Sequence, residues 1–407
     1  MPTIASPLDP VALEEEFDRL IAFGRRFPHP GGGAAWLDDD GTPDLTRPIY
    51  TWITARMAHI YCLAHIRGVT GADELADSAL GGLTGTLRDH QNGGWFSSIH
   101  AGTTADEKSC YAHAFVVLAA SSAAIADRPG ARSLLDEALT VWDQRFFDPD
   151  ADMFVDSWNA AFSTRSPYRG LNANMHSVEA LLAAADATGE QRLRDRATTI
   201  GYWVAALAER HGWRMPEHFD PDWQPMLEHN RDKPDDPFQP FGATVGHGLE
   251  WSRLLLHLHA SAADPAPTRL RDAAVALFDR AVADGWEVDG APGFVYTTDW
   301  DGVPVVRDRM HWVVAEAISA GAALHQVTDD QRYGDLCRLW WDYATRYLMD
   351  HQRGSWHHQL DATNSPIATV WPGKPDIYHA AQTTLIPRLP LAPTLALALH
   401  QEPTAGT

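Results

Sequence analysis

The sequence predicts an all-α protein in which twelve helices stand in six pairs around a closed ring. Three observations carry this. Short aromatic segments recur at nearly constant spacing, each stretch between them has room for two helices, and the first helix of a pair is poorer in charge than the second.

The aromatic segments begin at Trp36, Trp95, Phe154, Trp213, Phe294 and Trp356, at successive intervals of 59, 59, 59, 81 and 62 residues. Glycine, aspartate or asparagine flanks them, and several run into turn signals such as Asp40-Gly41, Ala101-Gly102, Asp301-Gly302 and Thr363-Asn364, so they read as small hairpins or extended loops. The one long interval contains a polar, proline-bearing excursion at 230–239. One helix precedes Trp36, two fill each interval and one follows Trp356, which makes twelve. The charge-poor members include 111–120, 172–184, 249–258 and 311–323, and their charged partners include 190–210, 268–284 and 330–350. Two concentric rings explain the difference, because inner helices touch protein on nearly every side while outer helices keep one face in water. An open solenoid of helix pairs would show the same pattern.

Composition narrows the function. Hydrophobic residues make up 45% of 407, no apolar run reaches 18 residues, and no low-complexity linker divides the chain, which predicts one domain over 1–407 with no membrane span. Lysine and arginine total 32 against 54 acidic residues, a formal charge of -22 that disfavours nucleic acid and anionic lipid as partners. The start of the sequence reaches Glu14, Glu15 and Glu16 without an apolar secretion signal. Cys62, Cys110 and Cys337 lie far apart and suit a reducing compartment. A cytoplasmic protein is expected. There is no H-E-x-x-H, phosphate-binding loop or strand-bound G-x-G-x-x-G, and adjacent His357 and His358 point opposite ways if extended. Neither metal nor nucleotide cofactor is expected.

Because the aromatic segments precede the charge-poor helices, all six inner helices should begin at one mouth, and polar residues in their first turns should converge on a funnel. The candidates are Arg56, Lys108 with His113, Asn172 with His176, His247 with Glu250, His311 with Glu316, and His379 with Gln382. Such a lining suits a sugar, with many donors and acceptors for hydroxyls. His247 and Glu250, three apart, share a helical face on which the carboxylate can orient the imidazole, and the glycines at 246 and 248 leave room for a ligand. Asn172 and His176, four apart, also share a face. Pro375 and Asp376 are helix-start residues ahead of His379. Arg56, alone in its helix before Arg67, binds an anion or oxyanion or forms a structural ion pair.

The segments Arg169-Gly170-Leu171-Asn172-Ala173-Asn174-Met175-His176, Gly246-His247-Gly248-Leu249-Glu250-Trp251, Tyr296-Thr297-Thr298-Asp299-Trp300-Asp301-Gly302 and Trp371-Pro372-Gly373-Lys374-Pro375-Asp376-Ile377-Tyr378-His379 together resemble the N-acylglucosamine 2-epimerase superfamily, from about Trp36 to Pro393. The resemblance implies an (α/α)6 barrel and aldose–ketose isomerisation through a cis-enediol, without metal or nucleotide. It implies His379 as the base for the sugar C2 proton, His247 as its partner in ring opening and proton exchange, Arg56 near the reacting oxygens, and His176, Glu250 and Glu316 as surrounding acid, base and orienting groups. Trp312 and Trp371 would be aromatic walls, and Trp52, Asn172 and Gln382 further sugar contacts.

Within that resemblance the expected partner is a monosaccharide, with D-mannose and D-fructose as substrate and product and D-lyxose as a smaller alternative giving D-xylulose; a monomer is expected, with a dimer as the alternative. A sulfonated sugar needs a cation at its C6 substituent, and Pro237-Phe238-Gln239-Pro240-Phe241, expected at the mouth, has no arginine. A sugar 2-epimerase or a sulfoquinovose isomerase is the alternative within the superfamily. A glycoside hydrolase would need two carboxylates flanking the bond, and a sugar-binding scaffold would not exchange the C2 proton.

Overall fold

The computed structural model describes residues 6–262 and 268–402. In chain order its helices are α1 (Pro10–Gly24), α2 (Thr51–Ile66), α3 (Ala72–Thr84), α4 (Cys110–Ile125), α5 (Ala131–Val141), α6 (Leu171–Thr188), α7 (Gln191–Arg210), α8 (Val245–Ser261), α9 (Thr268–Gly285), α10 (His311–Thr328), α11 (Gln331–Tyr343), α12 (Tyr378–Leu385) and α13 (Leu395–Gln401). The first twelve form an (α/α)6 barrel. The even-numbered helices make the inner ring, and each packs on an outer partner, with α1 lying against α12.

Burial follows the charge pattern. Every residue of α2 from Thr51 to Ala64 is buried, whereas α7 buries a stripe containing Leu193, Ala197, Ile200, Val204 and Leu207 and leaves its other face to water. Each large aliphatic side chain in such a stripe contributes about 1.5–3 kcal/mol by leaving water. Local signals set the helix ends. Asp9 caps α1 with Pro10 in its first turn, and α6 stops at Gly189, whose φ of 78° is left-handed.

The aromatic segments do more than turn the chain. Trp36, Trp95, Phe154, Phe294 and Trp356 each take part in a short local antiparallel contact. The longer-range pairing joins neighbouring repeats. Ile49–Tyr50 ahead of α2 pairs with Ser98–His100, Lys108–Ser109 ahead of α4 with Ser157–Trp158, and Arg169–Gly170 ahead of α6 with His218–Phe219. Ala243–Thr244 ahead of α8 pairs with Thr297–Thr298, and Arg309–Met310 ahead of α10 with Gln359–Leu360. The last repeat reaches the first through bonds that include Lys374 N donating to Leu37 O at 2.9 Å and Trp36 Nε1 donating to Pro372 O at 2.8 Å. The ring is closed, which excludes the open solenoid.

The helix beyond the expected twelve, α13, packs on α2, α4 and α6 and covers the floor of the barrel. The turn before it is held by the Thr394 hydroxyl and backbone N–H, each donating to Asp186 Oδ2 at 2.7 Å, and by Leu391 O, 2.6 Å from His257 Nδ1.

Candidate active site

The inner helices begin at the same end and enclose a funnel of about 690 Å³, counted to its open mouth. Arg56 reaches it from α2, Tyr111 from α4, Asn172 and His176 from α6, His247 and Glu250 from α8, His311 and Trp312 from α10, and His379 from α12. Trp52, Tyr296, His358 and Trp371 complete the wall. The 230–239 excursion folds over the mouth and places Pro237 and Phe238 in the lining, with the Phe238 ring 5.5 Å from Trp371 and 6.4 Å from Trp52.

At the centre are two imidazoles, each backed by a carboxylate. His379 Nδ1 lies 3.0 Å from Glu316 Oε1. When that nitrogen carries the proton, the Nε2 lone pair faces the funnel beside Arg56 Nη2, 3.4 Å away. Burial, then the neighbouring Arg56 guanidinium, hold His379 well below the usual histidine range, so it is a neutral base near pH 7. His247 Nδ1 lies 2.7 Å from Glu217 Oε2. The expected partner, Glu250, turns instead toward Arg253, at 3.4 Å, and His176, at 3.8 Å. A carboxylate from the extended segment ahead of His218 therefore takes the place that i, i+3 spacing suggested.

Arg56 is both an ion-pair partner and part of the funnel. Its Nη1 donates to Asp376 Oδ2 at 3.3 Å and its Nη2 to Tyr111 Oη at 2.9 Å, and Nη2 lies 3.4 Å from His379 Nε2. Asp376 also accepts from Tyr378 N at 2.9 Å, so the aspartate that holds the first residue of α12 anchors the arginine as well. A negative oxygen held beside His379 Nε2 would lie against this cation. His176 is pushed down to about 4, mainly by burial. Asn172 Oδ1 is buried without a protein partner among the described residues, leaving an acceptor for a hydroxyl.

Several candidates lie elsewhere. Lys108 is buried behind the wall, where Nζ donates to Asp89 Oδ2 and Gly93 O, both at 2.7 Å. His113 Nε2 accepts from Trp95 N at 3.1 Å, and its Nδ1 lies 2.8 Å from Ser109 O. These two hold a repeat junction. Glu316 and Gln382 sit one layer beneath the funnel, where Gln382 Nε2 donates to Glu179 Oε1 at 3.3 Å. The room beside Gly246 is filled by Trp312, since a Cβ there would meet the indole at 2.3 Å, and a Cβ at Gly248 would lie 3.3 Å from Ala281. These glycines admit protein rather than ligand.

Sequence reasoning missed Glu217, Tyr111, His358 and Arg253. A signal existed for the last, an arginine in a charge-poor helix, the feature that singled out Arg56. His358 turns into the funnel and stacks on His311 with centroids 3.8 Å apart, while His357 faces Asp350, the opposition expected of an extended pair. His176, Glu179 and Glu250 bring ligand atoms within 4.8 Å of one another, a spacing compatible with a metal ion. Arg253 supplies the positive charge there, with Nη1 3.9 Å from Glu179 and Nη2 3.4 Å from Glu250.

A funnel with imidazole bases, an embedded guanidinium and aromatic walls, set in an (α/α)6 barrel, defines a class of sugar-converting enzyme that works by proton transfer. The model of the N-acylglucosamine 2-epimerase (GlcNAc 2-epimerase) family matches residues 32–383, and the chain belongs to this family. It is 52% identical over 391 residues to a D-mannose isomerase of Thermobifida fusca, covering 95% of this chain and 96% of the relative. To a D-mannose isomerase of Pseudomonas cannabina pv. alisalensis it is 43% identical over 403 residues, covering 97% and 96%. A D-mannose isomerase crystal structure superposes with a TM-score of 0.86 at 26% identity, covering 93% of this chain and 97% of that one. The cellobiose 2-epimerase of Spirochaeta thermophila shares the fold, with a TM-score of 0.80 at 23% identity and coverage of 93% and 95%.

Proposed function

We propose that the chain is a D-mannose isomerase, interconverting D-mannose and D-fructose and accepting D-lyxose to give D-xylulose. The observation that carries the mechanism is the His379 base beside Arg56, facing a funnel that also contains the carboxylate-backed His247. D-mannose isomerases at 52% and 43% identity support the reaction.

The bound pyranose must open first, because the ring form has no carbonyl to acidify C2. His247 moves the O1 and ring-oxygen protons in this step. His379 Nε2 then takes the C2 proton, and the C2–H electron pair forms the C1–C2 double bond of a cis-enediolate whose O1 charge lies against Arg56. His379 returns its proton to C1, while the O2 proton passes to O1 through His247 and Glu250. The product is the ketose, with atoms and charge conserved. Proton removal and return from one side of the planar intermediate favour isomerisation over C2 epimerisation.

Neutral mannose is preferred to a sulfonated sugar because Arg56 is the one arginine or lysine among the described residues lining the funnel, and Asp376 already pairs with it. We take 1–407 as one catalytic domain acting as a monomer, with a dimer as the alternative. A cytoplasmic location accords with the free, buried state of Cys62, Cys110 and Cys337.

The test is D-mannose in deuterated buffer followed by NMR at early times. D-fructose should appear first, with deuterium at C1 to the extent that His379 exchanges its proton with solvent, and activity should survive dialysis against EDTA. Glucose formed faster than fructose would replace this reading with a 2-epimerase.

A further inference from the structure

Beneath the funnel, one guanidinium meets three carboxylates. Arg253, buried on α8, donates from Nε to Glu316 Oε2 at 2.8 Å and from Nη2 to Glu250 Oε1 at 3.4 Å, and its Nη1 lies 3.9 Å from Glu179 Oε1. Each carboxylate serves a different part of the site. Glu316 backs His379. Glu179 Oε2 accepts from Tyr378 and lies 3.6 Å from His176 Nδ1. Glu250 lines the funnel itself. Three buried negative charges around one cation are not sustainable, so one carboxyl retains a proton.

The donor inventory identifies which. Glu316 has a short bond from Arg253 and the His379 ring. Glu179 has the Tyr378 hydroxyl and the Gln382 amide in addition to Arg253. Glu250 has one 3.4 Å bond from Arg253, with His176 at 3.8 Å. The least solvated carboxylate is the one that gains most from keeping its proton.

We propose that Arg253 is a positioning residue that fixes the protonation pattern of the floor, holding Glu316 and Glu179 ionised beneath the imidazoles and leaving Glu250 as the proton-carrying acid of the funnel. This rests on the isomerase reading given above. The groups around Glu250 are His176 and Glu179 from α6, Glu316 from α10, Tyr378 and His379 from α12, Arg56 from α2, Tyr111 from α4, and His247 and Arg253 from α8 itself. Burial, then Glu316, raise Glu250 well above the carboxyl range. At Glu179 the upward push of burial is outweighed by His176 and Arg253.

The test is the pH profile of kcat/KM for D-mannose in Arg253→Met and Arg253→Lys, with circular dichroism and Tm recorded beside it. Loss of the cation in Arg253→Met should raise the carboxyls of the group, moving the limb set by Glu250 alkaline by about one pH unit or more, while His379, whose Glu316 partner then keeps a proton, should not rise with them. Arg253→Lys keeps the charge but loses the fork, so its bell should stay in place with a lower maximum. A purely structural arginine would lower the maximum in both and move neither limb, which would overturn the proposal.

Infrared difference spectra of the unliganded protein at neutral pH keep the question open to test if Arg253→Met fails to fold. Asp156, pushed up to about 7 by burial and Glu107, contributes to the protonated-carboxyl band as well, so the band should lose intensity in Glu250→Gln and keep it in Glu179→Gln. A band unchanged by Glu250→Gln refutes the assignment. Because this readout needs no turnover, it separates failure of the protonation pattern from failure of the mannose reaction, which the wild-type assay judges alone.

Discussion

Replacing Glu217 with glutamine tests the arrangement around His247. The carboxylate is buried and 2.7 Å from Nδ1. Glutamine keeps the size of the side chain but removes the charge, so the imidazole loses the anion that steadies its cationic form during proton transfer. When the imidazole takes up a proton, the 2.7 Å contact can close to a charge-assisted hydrogen bond, a class that contributes about 1.5–3 kcal/mol. At 1.36 kcal/mol per tenfold in rate, turnover should fall about 10- to 150-fold, with KM changing far less. The step affected is ring opening, so enzyme-catalysed interconversion of the mannose anomers, followed by NMR before fructose accumulates, should slow by a similar factor. Glu250→Gln should reduce fructose formation and leave anomer interconversion faster than in Glu217→Gln. Wild-type anomer interconversion in a well-folded Glu217→Gln protein would refute the assignment of His247 to ring opening through Glu217.

Three further outcomes are expected. His379→Ala and His247→Ala should each lower kcat at least about 100-fold with unchanged far-UV circular dichroism, the usual scale for a lost acid or base; near-normal turnover removes the residue from the mechanism. Gly246→Ala should raise KM for mannose more than it lowers stability, because the new methyl displaces the Trp312 wall, as steady-state kinetics and Tm together would show. The buried Lys374–Asp350 pair, 2.8 Å apart, holds the aspartate down to about 2 despite burial. A depressed carboxyl stabilises the fold above its unfolded value near 4, and that contribution is lost as pH falls toward 2, so acid titration of Lys374→Met should show a smaller drop across this window from a stability already lowered by about 3–5 kcal/mol.

The ring of twelve helices was legible because its signals are local and repeated: aromatic segments at fixed intervals and charge-poor helices alternating with charged ones. Helix-start histidines and Arg56 were legible for the same reason. What escaped reading depends on distance along the chain. Glu217 reaches His247 from thirty residues upstream, so the nearer Glu250 took its place in the sequence argument. Lys108 and Arg56 occupy comparable positions before or within an inner helix, yet one is turned outward to Asp89 and the other inward to His379, a choice made by packing. α13 follows the last aromatic segment, outside the repeat that revealed the others.

The bonds from Lys374 to Leu37 and from Trp36 to Pro372 bear on how the molecule comes apart. A stack of repeats with two free ends can fray from either one, and its stability is nearly a sum over neighbours. Here the first and last repeats hold each other, so losing any junction exposes two inner faces at once and leaves the histidines without a common funnel. Unfolding should therefore be cooperative around the circle. Deletion of one repeat should cost both the fold and the activity.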